Sequence, residues 1–293
     1  MRAVLVVIAL AVVSCGRDQP ASSASAGSAG SASSVPAHPR VVSLSPSATE
    51  VVAALDATDM LVGVDDYSTY PPEVTRLPKI GSYLTPNLEA IVTLRPTLVV
   101  VDDVHGQAAG ALKDAGIATV ACAIHGLGDV RKALRTVGER IGRVAQADRA
   151  SAEIDQALAD AAARRPAIRP RVLAIIDREP NGLRNLVAAG PSSWVDELLV
   201  AAGANNVLAQ AAVRYPKISI EEVLRAKPDI IFDLSFSART EVTAWNELDV
   251  PAVKTGRVVA LTDPFLVAPS PRVKQALEAV TNALAAPARE PNR

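Results

Sequence analysis

Two stretches of the chain, PNLEAIVTLRPTLVV (residues 86–100) and ISIEEVLRAKPDIIF (residues 218–232), follow the same pattern and decide the fold class. In each, a glutamate is followed by apolar residues at helical spacing, then by a basic residue, a proline and an apolar run. This order predicts a helix that stops before the proline and a buried strand that follows it. Glu89 and Glu221 occupy the same place in the two copies.

The same alternation of strand and helix extends outward from both copies. RVVSLS, LVGVDD, TLVVVDD and IATVACA are predicted strands before residue 125, and RVLAIID, DIIFDLS and GRVVALTD are predicted strands after residue 170. Helices separate them, the first with Ser47 as a predicted N-cap and Glu50 completing a capping box. Residues 129–165 carry no strand pattern and are predicted to be helical throughout. The fold class is therefore α/β, with two lobes built on parallel sheets and joined by one long helix.

The domain limits follow from these patterns. MRAVLVVIALAVVSC (residues 1–15) has one arginine, a short apolar run and a cysteine, which is typical of a secretory signal. It resembles a bacterial lipoprotein site with a lipidated Cys15, although Val12 replaces the usual leucine; an ordinary signal with an incidental cysteine is the alternative. Residues 16–39 form a Ser/Ala/Gly tether. We expect an N-terminal lobe at 40–140, an interlobe helix at 141–167 and a C-terminal lobe at 168–288.

The composition and the missing motifs exclude several classes of function. The net charge of −1 argues against a nucleic-acid partner, which requires a basic face. Walker, His-Glu-x-x-His, Gly-x-Ser-x-Gly and Cys-x-x-Cys motifs do not occur, so we predict no enzyme and no catalytic residue.

Cys122 is predicted to be an inert cysteine in a buried strand. His105 and His125 follow successive strand ends, and with Asp102 or Asp103 they would form the only metal site to consider. Loop histidines on a surface are the commoner explanation, so no metal is predicted, and a metal-dependent enzyme is kept as the alternative of another class.

Four ordered stretches carry a family resemblance: PRVVSLSPSATEVVAALDATDMLVGVDDYSTYPPEV, LPKIGSYLTPNLEAIVTLRPTLVV, AAGPSSWVDELLVAAGANNV and ISIEEVLRAKPDIIFDLS. They resemble the periplasmic binding proteins of ABC importers for vitamin B12 and iron-siderophores, and are most similar to those for vitamin B12. The resemblance implies two Rossmann-like lobes bridged by a rigid helix. It also implies a cobalamin ligand that is transported rather than used as a cofactor, and a monomer held at the periplasmic or cell surface. The partners would be an ABC permease dimer and its ATPase subunits.

The resemblance also assigns roles to residues. Glu89 and Glu221 match the glutamates that dock on arginines of the two identical permease subunits. Six residues match ligand-site positions: Tyr67, Tyr70, Tyr83, Asp102, Tyr215 and Asp263. Tyr83, Tyr215 and Asp102 stand where vitamin B12 binders place tryptophans, and the aspartate is a departure from that pattern.

A ferric-siderophore or haem receptor is the alternative within the family. Arg178, Arg184 and Arg214 would supply the arginines that siderophores require, and tyrosines would ligate haem iron. Of the two tryptophans, Trp194 is predicted to lie in the core and Trp245 at the surface of the second lobe.

Overall fold

The computed structural model describes residues 39–180, 182–235 and 242–287. The predicted signal peptide, the lipidated Cys15 and residues 16–38 of the tether lie outside these residues and stay predictions. Among the described helices, none is both long and apolar enough to span a bilayer.

The first lobe is built on a four-stranded parallel sheet, as the sequence predicts. Its strands are β1 (Val41–Ser43), β2 (Leu61–Val64), β3 (Leu98–Val101) and β4 (Thr119–Ala121), in the order β2-β1-β3-β4. Its helices are α1 (Pro46–Ala54), α2 (Leu88–Thr93), α3 (Gly106–Asp114) and α4 (Leu127–Ile141). Short 3-10 turns occupy Thr58–Met60, Pro72–Arg76 and Asp103–His105.

The second lobe has a sheet whose strands are mostly parallel, as predicted, with one antiparallel strand, β6. The strands are β5 (Arg171–Asp177), β6 (Leu186–Ala188), β7 (Asn205–Asn206), β8 (Lys217–Ile218), β9 (Ile230–Asp233) and β10 (Val258–Ala260). The order is β10-β9-β5-β6-β8, with β7 beside β5. β10, β9, β5 and β7 are parallel, whereas β6 is antiparallel to β5 and to β8. The connection from β5 to β6 is too short for the crossover that a parallel pair needs.

The second lobe's helices and the interlobe connection complete the fold. They are α5 (Val144–Ala163), α6 (Trp194–Ala201), α7 (Ile220–Ala226), α8 (Pro251–Lys254), α9 (Pro264–Val267) and α10 (Val273–Ala285), with a 3-10 turn at Val242–Glu247. The segment predicted to be one helix is divided into α4 and α5, because Gly142 ends α4 in the left-handed conformation at φ 71°. α5 fills most of the segment assigned to the connection, and the domain limits themselves stay predictions.

The N-cap of α1 lies two residues before the predicted one. Ser45, rather than Ser47, caps the helix: its Oγ accepts a hydrogen bond from the amide of Ala48 at 3.2 Å. Pro46 then occupies the first helical position, where its missing N–H costs nothing. Glu50 is therefore free of a capping role, and its buried carboxylate pairs with Arg272 instead.

The apolar core explains how the lobes are held together. One continuous cluster contains buried residues of both sheets and of α4, α5, α6 and α10, and two smaller clusters cover the other face of each sheet. Trp194 is buried in the large cluster, as predicted. Trp245 is also fully buried, so its predicted surface position is wrong. Its indole Nε1 donates to Asp233 Oδ2 at 2.8 Å, a buried partner that the sequence does not reveal.

Candidate functional site

A cavity of about 450 Å³ opens at the carboxyl ends of the first lobe's strands. This is the edge where ligands bind in open α/β sheets, because strand ends there leave a crevice between loops. Twelve residues line it: Ser45, Pro46 and Ser47 after β1, Tyr67 after β2, Ser82, Tyr83 and Leu84 before α2, Asp102 after β3, Ile124 and His125 after β4, and Ala268 and Pro269 after α9. Since the last two belong to the second lobe, the cavity lies between the lobes.

The loop that presents Tyr67 is fixed by buried polar contacts. Asp65 follows β2, and its carboxylate accepts hydrogen bonds from the Tyr67 amide at 2.9 Å and from the Ser68 hydroxyl. Lys79 Nζ donates to the carbonyl oxygens of Asp65 and Ser68 at 3.0 and 2.8 Å. Burial raises the pKa of Asp65, and the Ser68 hydrogen bond opposes that rise. The loop is thus held while the Tyr67 side chain stays 65% exposed.

His105 fixes the position of Tyr83 in the cavity wall. The amide of Asp102 donates to His105 Nδ1 at 2.9 Å, so the ring proton lies on Nε2, which donates to the Tyr83 carbonyl oxygen at 2.6 Å. The two rings also meet edge-on, with centroids 5.3 Å apart. His105 is buried and both its nitrogens are used, which makes it a structural residue.

Burial and neighbouring charges shift the pKa values of the polar groups at the cavity wall. Burial, followed by the charges of Asp102 and Asp103, raises the pKa of Tyr83 to about 12. Burial also raises the pKa of Asp102 to about 6, aided by its contact with Asp103. The hydrogen bond from Asp102 in turn lowers the pKa of Asp103. Asp103 Oδ2 also forms a hydrogen bond with His125 Nε2, at 2.9 Å. At neutral pH the wall therefore carries the neutral phenol of Tyr83 and the carboxylate of Asp102, with the ionised Asp103 beside them.

The cavity brings together three of the six residues predicted for the ligand site, namely Tyr67, Tyr83 and Asp102. Tyr70 lies instead in a separate groove along α5, where the Arg272 guanidinium stacks 4.2 Å from its ring centroid. Tyr215 is 44% exposed in the loop before β8, and Asp263 is exposed at the start of α9. Neither is part of the described cavity lining.

The arginines proposed for a siderophore do not line the cavity either. Arg178 is buried and its Nε donates to Asp233 at 2.9 Å, so it belongs to the interior of the second lobe. Arg184 pairs with Glu179 at the surface, and Arg214 is exposed. Within the described residues, no cluster of three histidine, cysteine or carboxylate side chains is arranged to hold a metal ion.

Most of the remaining wall was missed by sequence reasoning. The sequence predicts no role for Ser82, Leu84, Ile124 or the pair Ala268–Pro269. It points to His125 only as part of a metal site. A signal was present for Ile124 and His125, since both lie within four residues after the end of a parallel strand. The approach of residues 268 and 269 depends on the packing of two lobes and has no local signal.

The two repeated glutamates occupy equivalent places. Glu89 lies in the first turn of α2 and Glu221 in the first turn of α7, and both are exposed. Asn87 and Ser219 cap these helices by accepting hydrogen bonds from the amides three residues later. Hydrogen bonds from its own backbone amide and from the Ser219 side chain lower the pKa of the Glu221 carboxylate.

Comparison with known proteins identifies the class that this fold and cleft define. Residues 41–264 match the family described as "Periplasmic binding protein", so the chain belongs to that family of solute-binding proteins. The match covers both sheets and the cavity except for Ala268 and Pro269.

Individual relatives extend over nearly the same part of the chain. The cobalamin-binding protein of Halobacterium salinarum is 30% identical over 264 residues, 83% of this chain and 69% of that protein. The periplasmic vitamin B12-binding protein BtuF of Vibrio cholerae is 27% identical, with a TM-score of 0.72 over 84% of this chain and 96% of that one. The periplasmic heme-binding protein RhuT of Roseiflexus sp. RS-1 is 31% identical, with a TM-score of 0.72 over 84% and 98%.

Proposed function

We propose that this protein captures cobalamin or a related corrinoid in the cleft between its lobes and delivers it to an ABC permease. The observation that carries the proposal is the cavity at the strand ends, with Tyr67 and Tyr83 on one side and a segment of the second lobe on the other. Aromatic and apolar walls with a few fixed polar groups suit a large planar ring, which they bind by stacking and burial. Relatives named for vitamin B12 and cobalamin support this choice.

Haem is the second candidate ligand. RhuT, at 31% identity, is named for heme binding, and a tyrosine in the cavity wall suits ferric iron. Siderophores are less favoured, because Arg178, the buried member of the three arginines, is engaged by Asp233.

Titration of the purified domain separates these ligands. We expect saturable, one-to-one binding of cyanocobalamin, followed by calorimetry and by co-elution of its colour on gel filtration. Hemin binding with no cobalamin binding would replace the proposal by the haem alternative. Binding of neither would remove both.

Tyr83→Ala tests whether the described cavity is the binding site. Loss of one stacking face costs on the order of 1 kcal/mol, so cobalamin affinity should fall about fivefold to tenfold. Tyr215→Ala is the comparison: unchanged affinity would confine the site to the described cavity, and an equal loss would extend it to the loop before β8. Unchanged affinity for Tyr83→Ala would exclude this cavity.

We also infer that the protein is a lipoprotein anchored through Cys15, as its N-terminal sequence indicates. The Ser/Ala/Gly composition of residues 16–39 would separate the anchor from the fold. Cys15→Ser should therefore release a folded, ligand-binding protein from membranes. Retention of the variant in membranes after a high-salt wash would contradict the anchor.

The proposed partner is a two-fold symmetric permease with its ATPase subunits. A symmetric partner presents one basic patch twice, and a monomer engages both copies best with two matching acids. Glu89 and Glu221 supply such a pair, since each is exposed in the first turn of an equivalent helix of its lobe.

A further inference from the structure

His125 lines the cavity, and hydrogen bonds of its backbone and of its side chain fix its position. Its backbone amide donates to Asp129 Oδ2 at 3.0 Å, and the next amide, that of Gly126, donates to the same oxygen at 3.2 Å. Its ring Nε2 lies 2.9 Å from Asp103 Oδ2. The imidazole is thus oriented at the end of β4 while remaining partly open to solvent.

The contact with Asp103 decides which ring nitrogen carries the proton. A carboxylate oxygen accepts hydrogen bonds and does not donate them, so His125 Nε2 must donate to Asp103 Oδ2. In the neutral imidazole this leaves a lone pair on Nδ1. No hydrogen-bond partner for Nδ1 is found among the described residues. His105 differs, since both of its nitrogens are bonded within the protein.

A histidine held by a carboxylate through one nitrogen is the usual arrangement of a metal ligand, because the carboxylate fixes the tautomer and raises the basicity of the other nitrogen. The described residues do not supply a second and third ligand for a free ion. A metal already held by a macrocycle needs none, because its ring nitrogens occupy the equatorial positions. His125 therefore suits a metal that enters the cleft inside its ligand.

We propose that His125 Nδ1 is an axial ligand to the metal at the centre of a corrinoid or haem bound in this cavity, with Asp103 as its positioning residue. This inference rests on the proposed function and deepens it: the preferred substrates are macrocycles with an exchangeable axial position. The step is a ligand exchange, in which the Nδ1–metal bond forms, a metal-bound water leaves, and no electron is transferred.

The experiment compares aquocobalamin, whose axial water exchanges, with cyanocobalamin, whose cyanide does not. Binding to the parent protein should shift the visible spectrum of aquocobalamin toward that of its imidazole complex and leave cyanocobalamin almost unchanged. His125→Ala and His125→Gln should abolish the shift and weaken aquocobalamin binding about tenfold or more, with a clearly smaller loss of cyanocobalamin affinity. Added imidazole should restore the shift in His125→Ala.

Two further variants sharpen the interpretation. Asp103→Asn should reduce aquocobalamin affinity without removing the shift, because the ring keeps a hydrogen-bond partner but loses basicity. Val200→Ala, at an exposed residue of α6 outside the cavity lining, should alter neither spectrum. Hemin provides the same test for iron, through the shift of its Soret band.

The outcomes distinguish the inference from the proposed function. Saturable binding of cyanocobalamin with no shift of aquocobalamin, or a shift that persists in both His125 variants, would overturn axial ligation and leave corrinoid capture intact. If neither cobalamin nor hemin binds, the proposed function and this inference fail together.

Discussion

The carboxyl group of Asp102 lies in the cavity wall, where burial raises its pKa from 3.8 to about 6. Asp103, His125, Tyr83 and Cys122 are the titratable groups that interact with it electrostatically. Between the two pKa values the folded state binds more protons than the unfolded state, so stability falls as pH rises through this window. Above pH 6 the folded protein carries the full cost of a partly buried carboxylate.

Asp102→Asn should therefore stabilise the protein at pH 7.5, by on the order of 1–2 kcal/mol, and have little effect near pH 3.8. The asparagine oxygen can still accept the Asp103 amide, which lies 2.7 Å from Asp102 Oδ1. Urea unfolding of both proteins at the two pH values measures the difference. The exposed Asp263→Asn is the control and should show no such pH dependence. A variant that is less stable than the parent at pH 7.5 would contradict the assignment.

Among individual residues, the sequence-based prediction agrees with part of the lining of the candidate site. Tyr67, Tyr83 and Asp102 were placed in it by resemblance, and each follows or precedes a recognisable strand or helix. The Glu50–Arg272 pair and the buried Trp245–Asp233 hydrogen bond were missed, because their partners lie far apart in the chain or depend on loop packing. His105 and His125 look alike in sequence, and only their hydrogen bonds separate the structural ring from the one facing the cavity.

Among the secondary-structure elements, α2 and α7 were predicted most fully, because apolar periodicity and a following proline agree in both. β7 and β8, two residues each, and β6, three residues long, are too short for a periodic signal, and their pairing is set by β5 and by each other. The division between α4 and α5 depends on one glycine whose left-handed conformation becomes evident only in three dimensions.

The equivalence of α2 and α7 leads to a prediction about transport. Glu89→Ala/Glu221→Ala should leave cobalamin affinity within about twofold, because neither residue lines the cavity and exposed charges at a distance are screened by salt. The affinity for the reconstituted permease should fall, and it should depend less on salt concentration than the affinity of the parent protein does. Uptake should fall as well.

The matched control for this pair is Asp114→Ala/Glu139→Ala, which removes two exposed acids from α3 and α4. It should support uptake like the parent. Full uptake by the Glu89/Glu221 variant, or a loss of ligand binding in it, would refute docking through these helices.

For the molecule as a whole, two carboxylates join the lobes beside the cleft. Glu197 of α6 accepts a hydrogen bond from the Leu127 amide at the start of α4, at 2.6 Å. Glu50 of α1 forms a two-point ion pair with Arg272, whose Nε and Nη2 lie 2.8 and 2.5 Å from its oxygens. The Arg272 guanidinium also stacks against the rings of Tyr70 and Phe265. Arg272 closely follows Ala268 and Pro269, so this ion pair holds the second lobe's wall of the cavity in place.

Glu50→Ala should consequently affect both stability and capture. The side chains of Glu50 and Arg272 are 6% and 15% exposed, so removing one leaves a nearly buried charge without its partner and should cost about 3 kcal/mol of unfolding free energy. The double variant Glu50→Ala/Arg272→Ala should lose less than the sum of the two single losses, which urea unfolding in a double-mutant cycle measures. Arg149→Ala breaks an exposed pair with Asp56 and should cost under about 1 kcal/mol.

At a temperature where all variants are folded, Glu50→Ala should bind cobalamin more weakly than Arg149→Ala does, because the second lobe's wall is no longer fixed. Equal affinity in these two variants would mean that the ion pair stabilises the fold without shaping the cleft.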